Sequence, residues 1–330
     1  MKKILQYLFT YKTLSRQQAK EALLNISKGM YNESEVTAFM TVYLMRTITI
    51  DELQGFADAL LELCVPVPVD HYKTIDIVGT GGDGKNTFNI STLACFIVAG
   101  TGQKVVKHGN YGATSVSGAS NVMEQLGYRL KSDVKQLERE VAGANICFLH
   151  APLFHPALKA VGAIRKNLAI RTFFNMLGPM VNPARPTYQL VGVYNLEMAR
   201  IYNYLLQQKE KAFTIIHSVD GYDEISLTDD TRIITQDGEY IKTPVELGKR
   251  LVHATDLYGG NTIEEAAQIF MRIIKGEGTW AQNAVVLANA AMALQCTGSY
   301  GHYDEAYSAA VESLESGKAW EVLKKLQSLQ

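Results

Sequence analysis

TIDIVGTGGDGKNTFNISTLACFIVAG, residues 74–100, reads as a short β-branched strand, a glycine loop and an apolar helix in direct succession. Gly79, Gly81, Gly82 and Gly84 surround the turn. Glycine lets the backbone take positive φ and lets amide groups approach an anion with no Cβ in the way. The helix that follows presents unpaired first-turn N–H groups and the positive end of its dipole. Thr87, Asn89, Ser91 and Thr92 add hydroxyl and amide donors at its start. A plain turn with a helix cap needs one glycine and one capping residue. The surplus here points to a cradle for a phosphate-type anion. The loop is not a Walker A motif, because no GK[ST] closes it, and it lacks the GxGxxG dinucleotide spacing.

Downstream, VVKHGNYGATSVSGASNVMEQLG (105–127) repeats the design: a strand ending near Lys107, a Gly/Ser/Thr-rich segment, and a helix starting near Ser120. Lys107 supplies a point charge for phosphate. Taken alone, Lys107 would read as a solvent lysine and His108 as a structural histidine; beside a second anion-type loop both become site candidates. A third feature is GYDEISL (221–227), which follows the strand-like FTIIH (213–217). Adjacent carboxylates in a strand-end loop suit hydrated Mg²⁺, which takes one or two carboxylates together with phosphate oxygens. An isolated acidic turn would be surface decoration. Next to two phosphate loops, Asp223 and Glu224 are a metal pair.

The rest of the chain supplies the frame. Residues 1–64 are patterned as helices, with capping pairs Ser15/Gln18, Asn32/Glu35 and Thr49/Glu52 ahead of apolar periodicity. Leu53, Phe56, Leu60, Leu61 and Cys64 fall on one helical face. VPVPVD (65–70) interrupts the pattern and reads as a linker. From residue 71 to 330, short β-branched runs alternate with helices: TIDIV, KVVKH, NICFLH, QLVGVY and FTIIH. That alternation predicts a mainly parallel sheet with helices packed on it. Asp237-Gly238 signals a hairpin turn, Gly102 and Gly127 stand at helix C-terminal caps, and Asn261 with Glu264 suggests another helix start. Residues 155–186, with three prolines near their end, read as an excursion back to the helical domain. The fold class is α/β: a small N-terminal helical domain plus a larger α/β domain.

Composition narrows the function classes. A net charge of −1 over 330 residues provides no general field for nucleic acid or an anionic membrane. The four scattered cysteines form no CxxC pair, which fits free thiols in a reducing cytosol. The longest apolar run, around 284–294 with Asn289 inside it, is too short to span a bilayer. A cytoplasmic enzyme is expected. The seven histidines show no metal-binding spacing, and there is no GxSxG elbow, so covalent nucleophilic catalysis has no support.

GTGGD (79–83), NIST (89–92), KHGN (107–110), FLHAPLFHPALKAVGAIRKNLAIRTFFNMLGPMVNP (148–183) and DE (223–224) together resemble anthranilate phosphoribosyltransferase, in order and in spacing. The resemblance covers essentially the whole chain, and the 148–183 stretch is its most specific part. It implies a nucleoside phosphorylase/phosphoribosyltransferase-like homodimer, with the active site between a helical and an α/β domain. It implies attack of the anthranilate amine on C1′ of phosphoribosyl pyrophosphate (PRPP), an early step of tryptophan biosynthesis, and a capacity to associate with anthranilate synthase subunits. Carried over, Gly79, Gly82, Asp83, Thr87, Asn89, Ile90, Ser91 and Thr92 would hold PRPP. So would Lys107, His108, Gly109, Asn110, Tyr111, Gly112, Ala113, Thr114, Ser115 and Ala119. Ser91, Asp223 and Glu224 would hold Mg²⁺. Gly79, Asn110 and Arg165 would contact anthranilate, with His108, Pro152 and His155 lining its approach. No side-chain base is assigned; Lys107, Asp223 and Glu224 give electrostatic support.

The sequence departs from the family pattern in the second loop. Tyr111 and Gly112 follow Asn110 where an arginine and a serine-rich run are usual, Ala119 replaces a serine, and Asn121 stands where aspartate is common. Ser115, Ser117 and Ser120 are the hydroxyls left to compensate. Two competing readings remain at this stage. A pyrimidine nucleoside phosphorylase shares such loops but lacks the 148–183 stretch, and a non-catalytic nucleic-acid-binding relative would show a basic surface and a lost acidic pair.

Overall fold

The computed structural model describes residues 1–112, 115–168, 170–209 and 211–330. Helices α1 (Lys2–Leu8), α2 (Arg16–Ser27), α3 (Glu33–Met45) and α4 (Ile50–Leu63) open the chain. Next come β1 (Thr74–Gly79), α5 (Ile90–Gly100), β2 (Lys104–Gly109), α6 (Ala119–Gln125), α7 (Val134–Ala144) and β3 (Ile146–His150). They are followed by α8 (Ala151–Phe154), α9 (Lys159–Leu168), β4 (Tyr188–Gly192), α10 (Leu196–Gln207) and β5 (Ala212–Ser218). The chain closes with β6 (Thr231–Thr235), β7 (Glu239–Lys242), α11 (Ile263–Ile274), α12 (Trp280–Cys296), α13 (Tyr303–Glu315) and α14 (Lys318–Ser328). Contacts divide it into two units, one of Met1–Pro66 with Ala151–Pro183 and the other of Val67–His150 with Ala184–Gln330.

In the helical unit, all three expected capping boxes form, at Ser15/Gln18, Asn32/Glu35 and Thr49/Glu52. Each cap is worth about 1 kcal/mol, because it satisfies helix-end amides that would otherwise face no partner. Glu52 does more than cap. Its side chain is fully buried and accepts the Leu14 N–H at 2.9 Å and the Arg46 guanidinium at 2.6 and 2.9 Å. Burial pushes its pKa up, but the Arg46 fork and the Leu14 and Thr49 amides hold it below the ordinary value. Around it the core is aromatic. Phe56 stacks on Phe173 at 4.5 Å, and Phe39 and Tyr43 meet them edge-on. Those contacts tie α3 and α4 to the 151–183 segment.

The α/β unit is a seven-stranded sheet in the order β3-β2-β1-β4-β5-β6-β7. β1 to β5 run parallel, while β6 and β7 are antiparallel. The hairpin turns at Asp237-Gly238, where the Thr235 N–H donates to the Gly238 carbonyl at 2.8 Å. Almost all of α5 and α12 is buried, which explains why their sequences are apolar all round rather than on one stripe. Gly102 and Gly127, with φ of 98° and 84°, follow the ends of α5 and α6 as expected. One helix start is displaced. Thr262, not Asn261, caps α11 and accepts the Glu265 N–H, while Glu265 reaches back to the Asn261 N–H at 2.7 Å. Among the described residues, no helix is long and apolar enough to cross a membrane.

Register fixes where the ends of the strands fall. Gly79 of β1 pairs with Gly192 of β4, which pairs with Ile216 of β5, and Gly109 of β2 pairs with His150 of β3. The sheet grows from β1 toward β2 on one side and toward β4 on the other, so chain direction switches there. In open α/β sheets, ligands bind outside the carboxyl ends of the strands at such a switch.

Candidate active site

The first glycine loop leaves β1 at this switch. Gly81, Gly82 and Gly84 have φ of 67°, 79° and 77°, a region that favours glycine. The Gly81 N–H donates to Asp223 Oδ2 at 2.7 Å. A Cβ on Gly79 would lie 2.4 Å from that oxygen, and one on Gly192 would lie 1.6 Å from the Asp223 carbonyl oxygen. The acidic segment therefore passes over two strand ends that only glycine leaves open.

Asp223 and Glu224 are both buried. Their segment is held by Ser218 Oγ, which donates to the Glu224 carbonyl at 2.6 Å, and by Asn289 of α12. Asn289 accepts the Ile225 N–H at 3.0 Å and donates to the Ile225 carbonyl at 2.9 Å. Burial drives both carboxyls above their ordinary range; for Asp223 the next cause is Asp83, and for Glu224 it is Asp223 and then Asp83. Glu224 Oε2 is buried and has no hydrogen-bond partner among the described residues. Among those residues no group of three or more His, Cys, Asp or Glu side chains converges on one metal position. Two carboxylates and the nearby Ser91 hydroxyl, with water and phosphate oxygens completing the shell, fit Mg²⁺ rather than a metal that demands an all-protein cage.

Lys107 is turned inward. Its ammonium donates to the Ile77 carbonyl at 2.7 Å and to Ser91 Oγ at 3.3 Å, and the residue is 2% exposed. It lies beneath the first loop as a fixed positive charge, not at the rim as an exposed phosphate ligand. His108 is also buried, and its backbone N–H donates to Asp76 Oδ1 at 3.3 Å. Asp76 is a buried carboxylate inside β1, and its only signal in the sequence is that it is the one charge in TIDIV.

In the second loop, the Asn110 carbonyl accepts the Ser120 N–H at 3.1 Å, and its side chain accepts the Tyr111 N–H at 2.8 Å. Tyr111 is about half exposed; its ring meets His150 edge-on at 4.7 Å and its hydroxyl donates to Glu124 at 3.3 Å. His150 Nδ1 lies 2.8 Å from Ser120 Oγ. Ser115 Oγ donates to the Ser117 carbonyl at 3.4 Å. The Ala119 methyl stands beside Gly109, where an added Cβ would meet it at 3.1 Å. Ala113 and Thr114 lie outside the described residues. The two loops touch: Asn89 Nδ2 of the first donates to the Ser117 carbonyl of the second at 2.9 Å.

A strap crosses the first loop, and sequence patterning alone does not reveal it. The Phe88 N–H donates to the Leu257 carbonyl at 3.0 Å, the Gly259 N–H to the Asn86 carbonyl at 2.8 Å, and Asn86 Nδ2 to the Gly260 carbonyl at 2.8 Å. A Cβ on Gly259 would fall 2.4 Å from the Thr87 carbonyl oxygen, so the Gly259-Gly260 pair is the available signal. Arg165, Pro152 and His155 belong to the helical unit. Arg165 lies over the Phe174 ring at 5.3 Å, and burial lowers its pKa. His155 is fully buried and pushed down to about 4 by burial, against the carbonyls of Leu60 and Val181.

A helical bundle followed by an α/β unit with glycine loops at its switch point defines a class of transferase. The family model for the helical bundle domain of a glycosyl transferase family matches residues 2–64, and the model for its a/b domain matches residues 71–320. Anthranilate phosphoribosyltransferase from Flavobacterium psychrophilum is 57% identical over 329 residues, covering 100% of this chain and 99% of its own. The crystal structure of anthranilate phosphoribosyltransferase from Thermus thermophilus superposes with a TM-score of 0.92 at 30% identity, covering 98% of both chains. The Saccharomyces cerevisiae enzyme in complex with PRPP and Mg gives 0.89 at 27% identity, covering 98% of this chain and 96% of that one. The chain belongs to the anthranilate phosphoribosyltransferase family.

Proposed function

We propose that the protein transfers the phosphoribosyl group of PRPP to the amine of anthranilate and releases pyrophosphate, as a cytoplasmic enzyme of tryptophan biosynthesis. The observation that carries this reading is the buried Asp223–Glu224 pair, bound to a loop amide and laid across the ends of β1 and β4 beside two glycine loops. Full-length identity to anthranilate phosphoribosyltransferases supports it.

On this reading Gly79, Gly82, Asp83, Thr87 and Asn89 to Thr92 hold PRPP from one side. His108 to Gly112, Ser115 and the Ala119 turn hold it from the other. Ser91, Asp223 and Glu224 hold Mg²⁺, which when bound offsets the charge of the departing pyrophosphate. Lys107 adds a fixed positive charge under the first loop. Loop amides freed by glycine stabilise the same developing charge, with no reorganisation needed during reaction. C1′ becomes oxocarbenium-like as its bond to pyrophosphate oxygen breaks, and the anthranilate nitrogen then bonds to it and releases a proton. An aromatic amine is neutral at pH 7, so no side-chain base has to deprotonate it first. Positioning then dominates. For anthranilate, the proposed contacts in the α/β unit are Gly79, His108 and Asn110; those in the helical unit are Arg165, whose planar fork matches a carboxylate, and Pro152. His155, which has no exposed surface, shapes the helical unit rather than touching the ring.

A homodimer is the proposed assembly, and association with anthranilate synthase subunits the proposed wider partnership. A groove lined by Leu8, Phe9, Tyr11, Ala38, Thr41, Val42, Met45 and Arg46, with Phe9, Tyr11 and Met45 strongly exposed, supports the first. The activity is tested by following anthranilate fluorescence on addition of PRPP and Mg²⁺. Loss of fluorescence with release of pyrophosphate is expected; no change at saturating substrate would remove the assignment.

A further inference from the structure

The second glycine loop is braced by asparagine side chains. Asn121, in the first turn of α6, accepts two backbone amides on one oxygen: the Gly112 N–H at 2.9 Å and the Gly118 N–H at 3.0 Å. Those amides belong to strands of the loop that run in contact, since a Cβ on Gly118 would stand 2.3 Å from the Gly112 nitrogen and 2.8 Å from the Asn110 carbonyl oxygen. Across the same neck the Ser120 N–H donates to the Asn110 carbonyl at 3.1 Å, and the Tyr111 hydroxyl reaches Glu124 of α6 at 3.3 Å. Asn86 Oδ1 accepts the Val116 N–H at 3.2 Å, and Asn89 Nδ2 donates to the Ser117 carbonyl, so both draw the far side of the loop toward the first loop. Among these contacts Asn121 is the side chain that holds amides from both sides of the neck on one atom.

We infer that Asn121 is a positioning residue for PRPP: its side-chain oxygen fixes the neck of the second loop and so aims the amides that bind the phosphoribosyl ligand. The inference rests on the PRPP-transferring function proposed above. The physics is an asymmetry between making and breaking. Two amides share one acceptor, the Gly118 N–H is partly buried, and loss of that acceptor leaves both amides unpaired and the neck looser, held by the Ser120–Asn110 backbone bond. Pre-organisation is lost, and the ligand must then supply the ordering itself. The Asn121 oxygen is taken up by the two loop amides, so its removal acts on binding of the loop's ligand rather than on the chemistry. An acceptor oxygen in the same place suffices, which predicts that aspartate replaces asparagine and that leucine, of similar size, does not.

The experiment compares wild type, Asn121→Leu and Asn121→Asp in the full chain, by calorimetric binding of PRPP with Mg²⁺ and by steady-state kinetics. Asn121→Leu is expected to weaken PRPP binding and raise its KM about tenfold, the size of one or two lost hydrogen bonds. Its KM for anthranilate and its Tm should stay near wild type, and Asn121→Asp should restore the PRPP values. A PRPP KM in Asn121→Leu within about twofold of wild type would overturn the inference. So would a parallel rise of both KM values with a fall in Tm, or an Asn121→Asp variant as weak as Asn121→Leu. Wild type that binds no PRPP would instead overturn the functional reading, and this inference with it.

Discussion

At the residue scale, the site depends on atoms that are absent as much as on those present. Gly192 lies under the Asp223 backbone so closely that any Cβ collides with a carbonyl oxygen, which no side-chain rotation can relieve. Gly192→Ala should therefore displace the carboxylate pair, lowering kcat/KM by about 10²-fold, on the scale of losing one preorganised electrostatic group. The check is steady-state kinetics across a Mg²⁺ titration, in which the variant should also need more metal. Glu224→Gln should show the same pairing of defects, and unchanged Mg²⁺ dependence in both would count against the metal role. The acidic pair was legible as DE in a strand-end loop. Gly192 was not, because its neighbour in space is distant in sequence. Asn289 was visible only as a polar interruption of an apolar run, and its partner Ile225 is 64 residues away.

Elements were legible where their signals are local. The capping boxes join residues three apart, so Ser15/Gln18, Asn32/Glu35 and Thr49/Glu52 could be read directly. Thr262 shows the limit, since two adjacent capping residues precede α11 and only the backbone settles which one turns inward. Glu52 illustrates what local signals miss: a predicted cap that is also half of a buried ion pair with Arg46. Removing one partner of such a pair costs about 3–5 kcal/mol, because the other charge is left uncompensated. Glu52→Gln should lose roughly that much in denaturant unfolding. The acid response should change too. The folded pKa lies below the ordinary 4.5, so the contribution is complete above that pH and disappears as pH falls through the folded value. The variant should therefore lose less stability than wild type between neutral and strongly acidic pH. Equal acid sensitivity would mean that Arg46 holds nothing.

For the whole molecule, alternation of strand and helix was enough to read a parallel sheet, but the order β3-β2-β1-β4-β5-β6-β7 follows from pairings between distant segments. That order creates the switch point and so explains why the loops after β1, β2 and β5 meet at one end of the sheet. If the α1/α3 groove seats a second copy, light scattering should report a dimer, and Met45→Asp should shift it toward monomer by placing a charge on apolar surface. A wild-type monomer at micromolar concentration would remove the dimer proposal and leave the chemistry standing. The chemistry is tested most directly by anthranilate fluorescence with PRPP, with and without Mg²⁺. The account predicts rapid loss with Mg²⁺, near-complete arrest on chelation, and recovery when the metal is restored. Undiminished fluorescence in the presence of all three components would contradict it.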